Sequence, residues 1–487
     1  MSEQRKPSSG EWLAGPPFIR GIHATALFAQ MREPMPSGVL ASAQLFPTRE
    51  KRMEETSSAE LRKKQKELLF PNVANYYAEP LVAESASGMT VRDADGRDYL
   101  DFFGGILTVS VGHCHPKVTD AVIAQQKKLV HVSTLYPTKP QLDLAEKLVQ
   151  ISPIKPKTKV FFTNSGTEAN ETAVTLAKVA TGRRDLVALR HSYGGRGTLA
   201  MNLMGNKNYR MLDSEVPGIK HAHAPYCYRC DLKLSYPSCD IACAKDVKTL
   251  IETETRGEIS AFMAEPIQGV GGFVTPPKEY FQTVLPIVRE AGGLFIADEV
   301  QTAWGRTGGM WWGVDQYGVA PDILTSAKGM ANGQPIGLTM ARADIADKFA
   351  GLASISTFGG SPVSMVAASA TISVIEEEKL LFNAQMMGKL LRDGLEQLQK
   401  SDARIGDVRG MGLMQAMELV KDPKTKEPDA AAAGRLMEAT KKRGLLIGKG
   451  GTYGNVLRIA PPMVVNRTQV EQAVRLIGES LAEALPR

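Results

Sequence analysis

Apolar runs alternate with amphipathic helical patterns over residues 113–350, and this alternation constrains the fold more than any other feature of the chain. Strands that alternate with helices are typical of a mostly parallel sheet with helices on both faces. The sequence therefore predicts a large α/β domain around one central sheet. Six runs have the length and composition of its buried strands: 159–162, 186–190, 261–265, 294–298, 322–325 and 336–341.

The two ends of the chain depart from this central pattern. Asp95 and Gly96 separate two alternating runs, which predicts a β-hairpin, and residues 366–400 have helical periodicity. The ends are expected to form one smaller α+β domain. We divide the chain into an N-terminal arm (1–60) expected to be poorly packed, the first part of the small domain (61–112), the large domain (113–365) and the second part of the small domain (366–487).

Composition and charge narrow the functional class. The 487 residues include 43% hydrophobic and 23% charged side chains, and the formal net charge is +6, as in an ordinary globular enzyme of two or three domains. No dense run of Lys and Arg with interleaved aromatic residues predicts binding to nucleic acid, and no apolar stretch is long enough to cross a membrane. The N-terminus lacks the apolar core of a secretory signal, so we expect a cytoplasmic protein.

Three chemically different groups follow predicted strands. Lys328 follows the fifth apolar run and Asp298 ends the fourth. Ser165, Gly166 and Thr167 follow the first run and are expected to open a helix, whose N-terminus suits a phosphate. Ligands bind at the carboxyl ends of strands in an open α/β sheet. An amine, an acid for a ring nitrogen and an anion site are the groups that pyridoxal 5'-phosphate (PLP) requires, although each alone has an ordinary structural explanation.

Four further side chains lie where they suit the same ligand. Gln301 is expected to hydrogen-bond the phenolic oxygen of PLP, and Tyr193 to stack on its ring unless it lies in a flexible turn. Glu265 ends the third apolar run, where it would control access or pair with an arginine. Arg458 lies within an apolar run and needs an anion, either a substrate carboxylate or the partner of a structural ion pair.

Four of the five cysteines form a C-x-x-C pair followed by a C-x-x-x-C pair: Cys227, Cys230, Cys239 and Cys243. This spacing suits four thiolate ligands of a structural Zn²⁺ ion. Disulfides and free thiols are the alternatives, and disulfides are the least favoured of the three in the cytosol. We place these cysteines in an insertion of the large domain at about 225–245 and assign them no catalytic role.

Several segments together resemble the class III (ω-amino acid) aminotransferases, which are PLP enzymes of fold type I. The resemblance covers about residues 70–485. It rests on NSGTEAN at 164–170, AEPIQG at 264–269, ADEVQ at 297–301, GRTG at 305–308, AKG at 327–329 and TFGG at 357–360. Within the class, the segments 100–106 and 109–116 are most similar to the alanine–glyoxylate aminotransferase 2 group.

The resemblance implies a homodimeric transaminase. Its substrates would be an amino donor, either an amino acid, an ω-amino acid or an amine, and a small 2-oxo acid acceptor such as pyruvate or glyoxylate. The amino group would pass between them in a ping-pong mechanism. The same scaffold also hosts decarboxylases, racemases and aminomutases, which remain the alternative, and a regulatory module without activity would need neither Lys328 nor Asp298.

The resemblance also implies a role for each site residue. Lys328 would bond covalently to the cofactor and then move the substrate's α-proton, while Asp298 would hold the ring nitrogen. Arg458 would hold a substrate carboxylate, and Glu265 would gate that contact. The remaining contacts to the cofactor would come from Ser165, Gly166, Thr167 and Tyr193, and from Thr357 of the partner subunit.

Overall fold

A computed structural model describes residues 57–211 and 216–484. Within them the strands, in chain order, are β1 (Ala83–Ser87), β2 (Thr90–Asp93), β3 (Asp98–Asp101), β4 (Thr158–Thr163), β5 (Leu186–Leu189), β6 (Ile219–Ala222), β7 (Ala261–Ala264), β8 (Leu294–Asp298), β9 (Ile323–Ser326), β10 (Gly337–Arg342), β11 (Ile405–Met411), β12 (Met414–Leu419), β13 (Leu445–Leu446), β14 (Gly448–Gly450) and β15 (Val456–Ile459).

The α-helices of the same residues are α1 (Ser58–Leu68), α2 (Gly104–Leu107), α3 (Pro116–Lys128), α4 (Lys139–Ile151), α5 (Gly166–Thr181), α6 (Thr198–Leu203), α7 (Ala242–Glu254), α8 (Tyr280–Glu290), α9 (Ala343–Ala346), α10 (Pro362–Glu377), α11 (Leu380–Ser401), α12 (Ala430–Lys442) and α13 (Arg467–Ala484). None of these helices is both long and apolar enough to span a membrane.

The central sheet has the strand order β4-β10-β9-β8-β7-β5-β6. Strand β10 runs antiparallel to both of its neighbours, and the other neighbouring strands are parallel. The predicted α/β fold with a mostly parallel sheet is therefore confirmed, and all six predicted runs coincide with strands. Strand β6 escaped the prediction because it is short and carries Lys220 and His221.

Helices pack on both faces of this sheet, as the two sides of β8 show. The side chain of Ile296 lies in one apolar cluster with Val174 of α5. The neighbouring Phe295 points the other way, into the cluster that contains Phe281 of α8. Because successive side chains of a strand alternate between faces, one sheet divides the two apolar layers of the core.

Two smaller sheets have the orders β1-β2-β3-β13 and β11-β12-β15-β14. The predicted hairpin at Asp95 and Gly96 joins the antiparallel strands β2 and β3. Strand β13 pairs with β3 in parallel, so one sheet contains strands from both halves of the chain. A smaller α+β part is thus built from both chain ends, while its boundaries at 112 and 365 stay predictions. The arm predicted at 1–60 lies outside the described residues up to 56.

Candidate active site

A cavity of about 160 Å³ opens at the carboxyl ends of β7, β8 and β9. It is lined by an amine, two carboxylates, an amide and the first turn of α5. The strand ends therefore meet where ligands bind in open α/β sheets. Seven of the residues proposed from the sequence line the cavity: Gly166, Thr167, Tyr193, Glu265, Asp298, Gln301 and Lys328.

Lys328 begins a short 3₁₀ turn immediately after β9. Its φ of 44° lies in the left-handed region, which residues with a side chain rarely adopt and which often marks a functional position. Burial lowers the pKa of Lys328, although the charges of Asp298 and Glu265 act in the opposite direction. The amine therefore loses its proton more readily than an exposed lysine does.

Asp298 at the end of β8 is buried, and burial raises the pKa of its carboxyl group. Its Oδ2 accepts a hydrogen bond of 2.8 Å from Nδ2 of Asn170, whose Oδ1 in turn accepts one of 2.6 Å from Thr325. These bonds fix the carboxylate in a single orientation. Asn170 was not among the residues predicted for the site, although it lies one turn after the start of α5, on the same helix face as Gly166.

The first turn of α5 has the features of an anion site. Ser165 caps the helix, because its hydroxyl oxygen accepts a 3.2 Å hydrogen bond from the backbone N–H of Glu168. Thr167 lies at the cavity, and the backbone of Gly195 approaches it so closely that a Cβ there would stand 2.5 Å from the Thr167 hydroxyl oxygen. Free N–H groups and hydroxyls at a helix N-terminus suit a phosphate dianion.

Glu265 at the end of β7 accepts two backbone hydrogen bonds, one of 3.0 Å from the N–H of Tyr193 and one of 2.8 Å from the N–H of Gly269. Burial and then the negative charge of Asp298 raise the pKa of Glu265. No direct ion pair joins it to Arg458 among the described residues, contrary to one of the expectations for Glu265. The peptide of Gly269 lies between the two instead, because its carbonyl accepts from Arg458.

Arg458 on β15 is buried, and its hydrogen-bond partners among the described residues are neutral oxygen atoms. It donates to the backbone oxygen of Lys449 at 3.1 Å, to the hydroxyl of Tyr76 at 2.9 Å and to the carbonyl of Gly269 at 3.4 Å. The ring of Phe103 lies 4.9 Å from the guanidinium carbon. Within 57–211 and 216–484 it has no carboxylate partner, so the alternative of a structural ion pair is not met there.

Three other predicted contacts differ in their surroundings. The ring of Tyr193 meets Tyr209 edge-on at 5.6 Å between centroids. Gln301 is buried, and its Oε1 has no hydrogen-bond partner among the described residues. Thr357 is exposed and does not line the cavity of its own chain.

The four clustered cysteines surround one small cavity of about 20 Å³. All of them, Cys227, Cys230, Cys239 and Cys243, are free thiols. In the described part of the chain no three His, Cys, Asp or Glu side chains form a group able to hold a metal ion, so the predicted Zn²⁺ site is not supported. Burial, followed by the neighbouring sulfurs, raises the pKa of Cys227 to about 11 and of Cys243 to about 12, which favours the protonated thiols.

Comparison with known proteins agrees with this geometry. The model of the family "Aminotransferase class-III" matches residues 73–481. The chain belongs to the class III aminotransferases. It is 41% identical to the Arabidopsis thaliana "Alanine--glyoxylate aminotransferase 2 homolog 2, mitochondrial", over 86% of this chain and 87% of that protein. It is also 36% identical to a leucine/methionine racemase of Thermococcus litoralis, over 85% of this chain and 94% of that protein.

A solved transaminase structure supports both fold and cofactor. An amine transaminase from an uncultivated Pseudomonas species, in its PLP-bound form, superposes with a TM-score of 0.80 at 30% identity, over 86% of this chain and 99% of that one. The protein is thus a transaminase of fold type I, from a family that uses PLP. The cavity fits this cofactor, because it offers a helix N-terminus for phosphate, a buried acid in Asp298 and the side-chain amide of Gln301, which makes no hydrogen bond to the described residues through its oxygen.

Proposed function

We propose that this transaminase transfers the amino group of an amino acid or ω-amino acid to a small 2-oxo acid, with pyruvate or glyoxylate as acceptor. The observation that carries the proposal is that Arg458 is buried near the cavity of Lys328 and has no carboxylate partner in the described part of the chain. A guanidinium without a carboxylate of its own suits a substrate carboxylate, which it can bind in bidentate fashion. Donor and acceptor of this kind both carry such a group.

The cofactor contacts follow from the cavity. When bound, PLP supplies an electron sink for negative charge at the substrate's α-carbon. Asp298, oriented by Asn170, would pair with the ring nitrogen and hold its proton. The phosphate would lie at Ser165, Gly166 and Thr167, where α5 begins. Tyr193 would cover the ring, and Gln301 would donate to the phenolic oxygen.

Lys328 would attach the cofactor and then move the proton of the substrate's α-carbon. Its lowered pKa suits both tasks, because a neutral amine is the nucleophile and the base. Arg458 lowers the pKa of Lys328, and Glu265 raises it. The carboxyl of Glu265 is held by hydrogen bonds from the N–H groups of Tyr193 and Gly269. We propose that it limits the access of substrate carboxylates to Arg458.

We further propose that the active unit is a homodimer whose subunits share the phosphate site through Thr357. Exposed apolar side chains flank this residue: Ile355 is 70% and Phe358 63% exposed. A second segment, joined to the first by the 3.3 Å bond from Thr134 N–H to Ser356 O, adds the exposed Leu135. Apolar patches of this kind mark interfaces.

A donor panel tests the proposed substrates. Purified enzyme is mixed with carboxylated and uncarboxylated amines, and the absorbance of the bound cofactor is followed in a single half-reaction. Donors should bleach the cofactor band, and pyruvate or glyoxylate should restore it. Stoichiometric CO₂ release, or inversion of the donor without oxo-acid formation, would instead favour a decarboxylase or a racemase, the second being the activity named for the Thermococcus relative.

Cellular location stays a separate prediction. The sequence favours the cytoplasm, whereas the Arabidopsis relative is called mitochondrial. Fractionation of cells that express the full chain tests it, and recovery in mitochondria would contradict the cytoplasmic prediction.

A further inference from the structure

Gly269 lies in a tight turn after β7 that leaves its backbone little freedom. Backbone hydrogen bonds in both directions between Gln268 and Val274, of 3.0 and 3.2 Å, close the turn. Within it, the carbonyl of Gly269 accepts from the N–H groups of Gly272 at 3.2 Å and Phe273 at 3.4 Å. A substitution at Gly269 would therefore be accommodated by its neighbours rather than by movement of this backbone.

The peptide groups of Gly269 also contact two residues of the site. Its N–H donates to the carboxylate of Glu265 at 2.8 Å, and its carbonyl accepts from Nη1 of Arg458 at 3.4 Å. These contacts add to the restraint of the turn. With its N–H and its carbonyl both engaged, Gly269 contacts one further residue of the site through its α-carbon.

That residue is Gln301, whose amide occupies the space where a side chain at Gly269 would begin. An ideal Cβ on Gly269 would stand 2.3 Å from Cδ of Gln301 and 2.4 Å from its Nε2 and Oε1. Such distances are impossible between real atoms. The Gln301 amide therefore lies at the cavity, beside Lys328, only because residue 269 has no side chain.

We propose that Gly269 is a positioning residue that keeps the amide of Gln301 directed at the cofactor. The proposal rests on the binding of PLP in this cavity, since the phenolic oxygen of PLP is the partner proposed for Gln301. The unpartnered, buried Oε1 of Gln301 supports it, because no described protein group holds the amide in place. Packing against the bare α-carbon of Gly269 does so instead.

A competing explanation is that the turn itself requires a glycine at position 269 because of its backbone conformation. The φ angle of Gly269 does not support this explanation. The φ of Gly269 does not lie in the left-handed region, whereas the φ of Gly272, three residues later, is 100°. The φ of Gly269 therefore does not itself exclude alanine. The clash it introduces is with the end of a flexible side chain, so the expected response is displacement of the Gln301 amide rather than unfolding.

A double-mutant cycle tests the proposal, with Gly269→Ala, Gln301→Ala and the double variant. The three readouts are the dissociation constant of PLP, measured by titration of cofactor-free enzyme, the pH midpoint of the bound cofactor's absorbance, and kcat/KM. Each single change should weaken PLP binding by about tenfold, the worth of one hydrogen bond, and shift the midpoint in the same direction. The double variant should match Gln301→Ala within about twofold, since the amide that Gly269→Ala would displace is already gone.

Gly434→Ala is the matched control, because Gly434 lies inside α12 with nothing within 4 Å of its added Cβ. It should leave all three readouts unchanged. Effects of Gly269→Ala and Gln301→Ala that multiply in the double variant would overturn the proposal, as would unchanged PLP binding in Gly269→Ala. If Gly269→Ala fails to fold, folding of the double variant supports the proposal and its failure overturns it. PLP binding is measured without substrate, so the dissociation constants test the role of Gly269 even if the proposed substrates are wrong.

Discussion

At the scale of single residues, Asn170 holds the buried carboxyl group of Asp298 in place. It donates to Asp298 from α5 and is itself fixed by the hydroxyl of Thr325 on β9. Three elements thus meet at one carboxylate, whose burial alone would favour the neutral form. The proposed pairing with a protonated ring nitrogen requires the ionised form, so the hydrogen bond from Asn170 has a direct chemical purpose.

Asn170→Ala should therefore weaken PLP binding. The hydrogen bond from Asn170 lowers the pKa of Asp298, so its loss raises that pKa further. We expect about a ten- to hundredfold loss in PLP affinity, as for a hydrogen bond to a charged group. Titration of cofactor-free enzyme with PLP measures it, with Thr175→Ala as control, since Thr175 is exposed on the same helix and bonds to its own turn. Equal affinities in the Asn170 and Thr175 variants would contradict this role.

The charges around Lys328 predict opposite shifts in its pKa. Glu265 raises the pKa of Lys328 and Arg458 lowers it, both less strongly than burial does. Glu265→Gln should therefore lower the pH midpoint for covalent capture of PLP by cofactor-free enzyme, whereas Arg458→Gln should raise it. Stopped-flow capture rates across pH measure both midpoints, with the exposed Glu258→Gln as control. Shifts in one common direction would be incompatible with this electrostatic arrangement.

The proposed reactive groups could be selected from the sequence, but the residues that support them could not. Asp298 ends one apolar run and Lys328 closely follows another, where a charged side chain needs a reason, so a single sequence indicates both. Asn170 is an ordinary polar residue within a helix, and Gly269 is one glycine among 45. Their importance depends on which groups lie across the cavity, which local sequence does not contain.

At the scale of elements, a buried ion network joins the cysteine segment to the C-terminal sheet. Glu418 of β12 is fully buried and accepts hydrogen bonds from Arg409, Arg229 and Tyr226. Burial acts to raise the pKa of Glu418, yet Arg409 and these other donors hold it below the ordinary value. Charge thus anchors the segment to the sheet, and the cysteine spacing that suggested zinc did not report these partners.

Glu418→Gln should destabilise the fold. It removes the buried carboxylate shared by the buried Arg409 and the partly buried Arg229, and Arg409 keeps only its second carboxylate partner, Asp407. We expect the free energy of unfolding to fall by up to about 3–5 kcal/mol. Urea titration measures the loss, with Glu427→Gln as control, because the pair of Glu427 with Lys421 is solvent-exposed and should contribute little to stability.

The difference between the wild type and Glu418→Gln should also depend on pH. The folded-state pKa of Glu418 is lowered, so its stabilisation is present above the ordinary glutamate pKa and is lost as the pH falls through the folded value. Similar costs for the Glu418 and Glu427 variants, or a cost for Glu418→Gln that does not shrink in acid, would show that the network is not a buried ion pair.

At the scale of the whole molecule, the alternation of strands and helices was sufficient to predict the central sheet, because burial on both faces leaves continuous apolar runs. It did not predict that β10 runs against its neighbours, since strand direction depends on the length and path of the connections. The proposed subunit arrangement is harder to predict from the sequence, because it depends on which exposed apolar side chains lie next to one another. The segments around Leu135 and Phe358 show this adjacency only in the folded chain.

Subunit mixing tests the shared site. Lys328→Ala lacks the amine and Thr357→Ala lacks the proposed phosphate contact of the partner subunit, so each homodimer should be impaired. A mixed dimer has one of its two sites intact. Random pairing in an equimolar mixture makes about half of the dimers mixed, so the mixture should recover up to about a quarter of the wild-type activity. Activity no higher than the sum of the separate proteins, despite demonstrated exchange of subunits, would rule out a shared site.

The central claim is that Lys328 is the amine of this site, and the most direct measurement is the position of covalently bound PLP. Enzyme loaded with PLP is reduced with borohydride, digested and mapped by mass spectrometry. The account predicts that the label lies on the peptide containing Lys328 and that Lys328→Ala, though still able to bind PLP reversibly, gives no stable label. A label on a different lysine in the wild type, or an equally stable label in the variant, would contradict it.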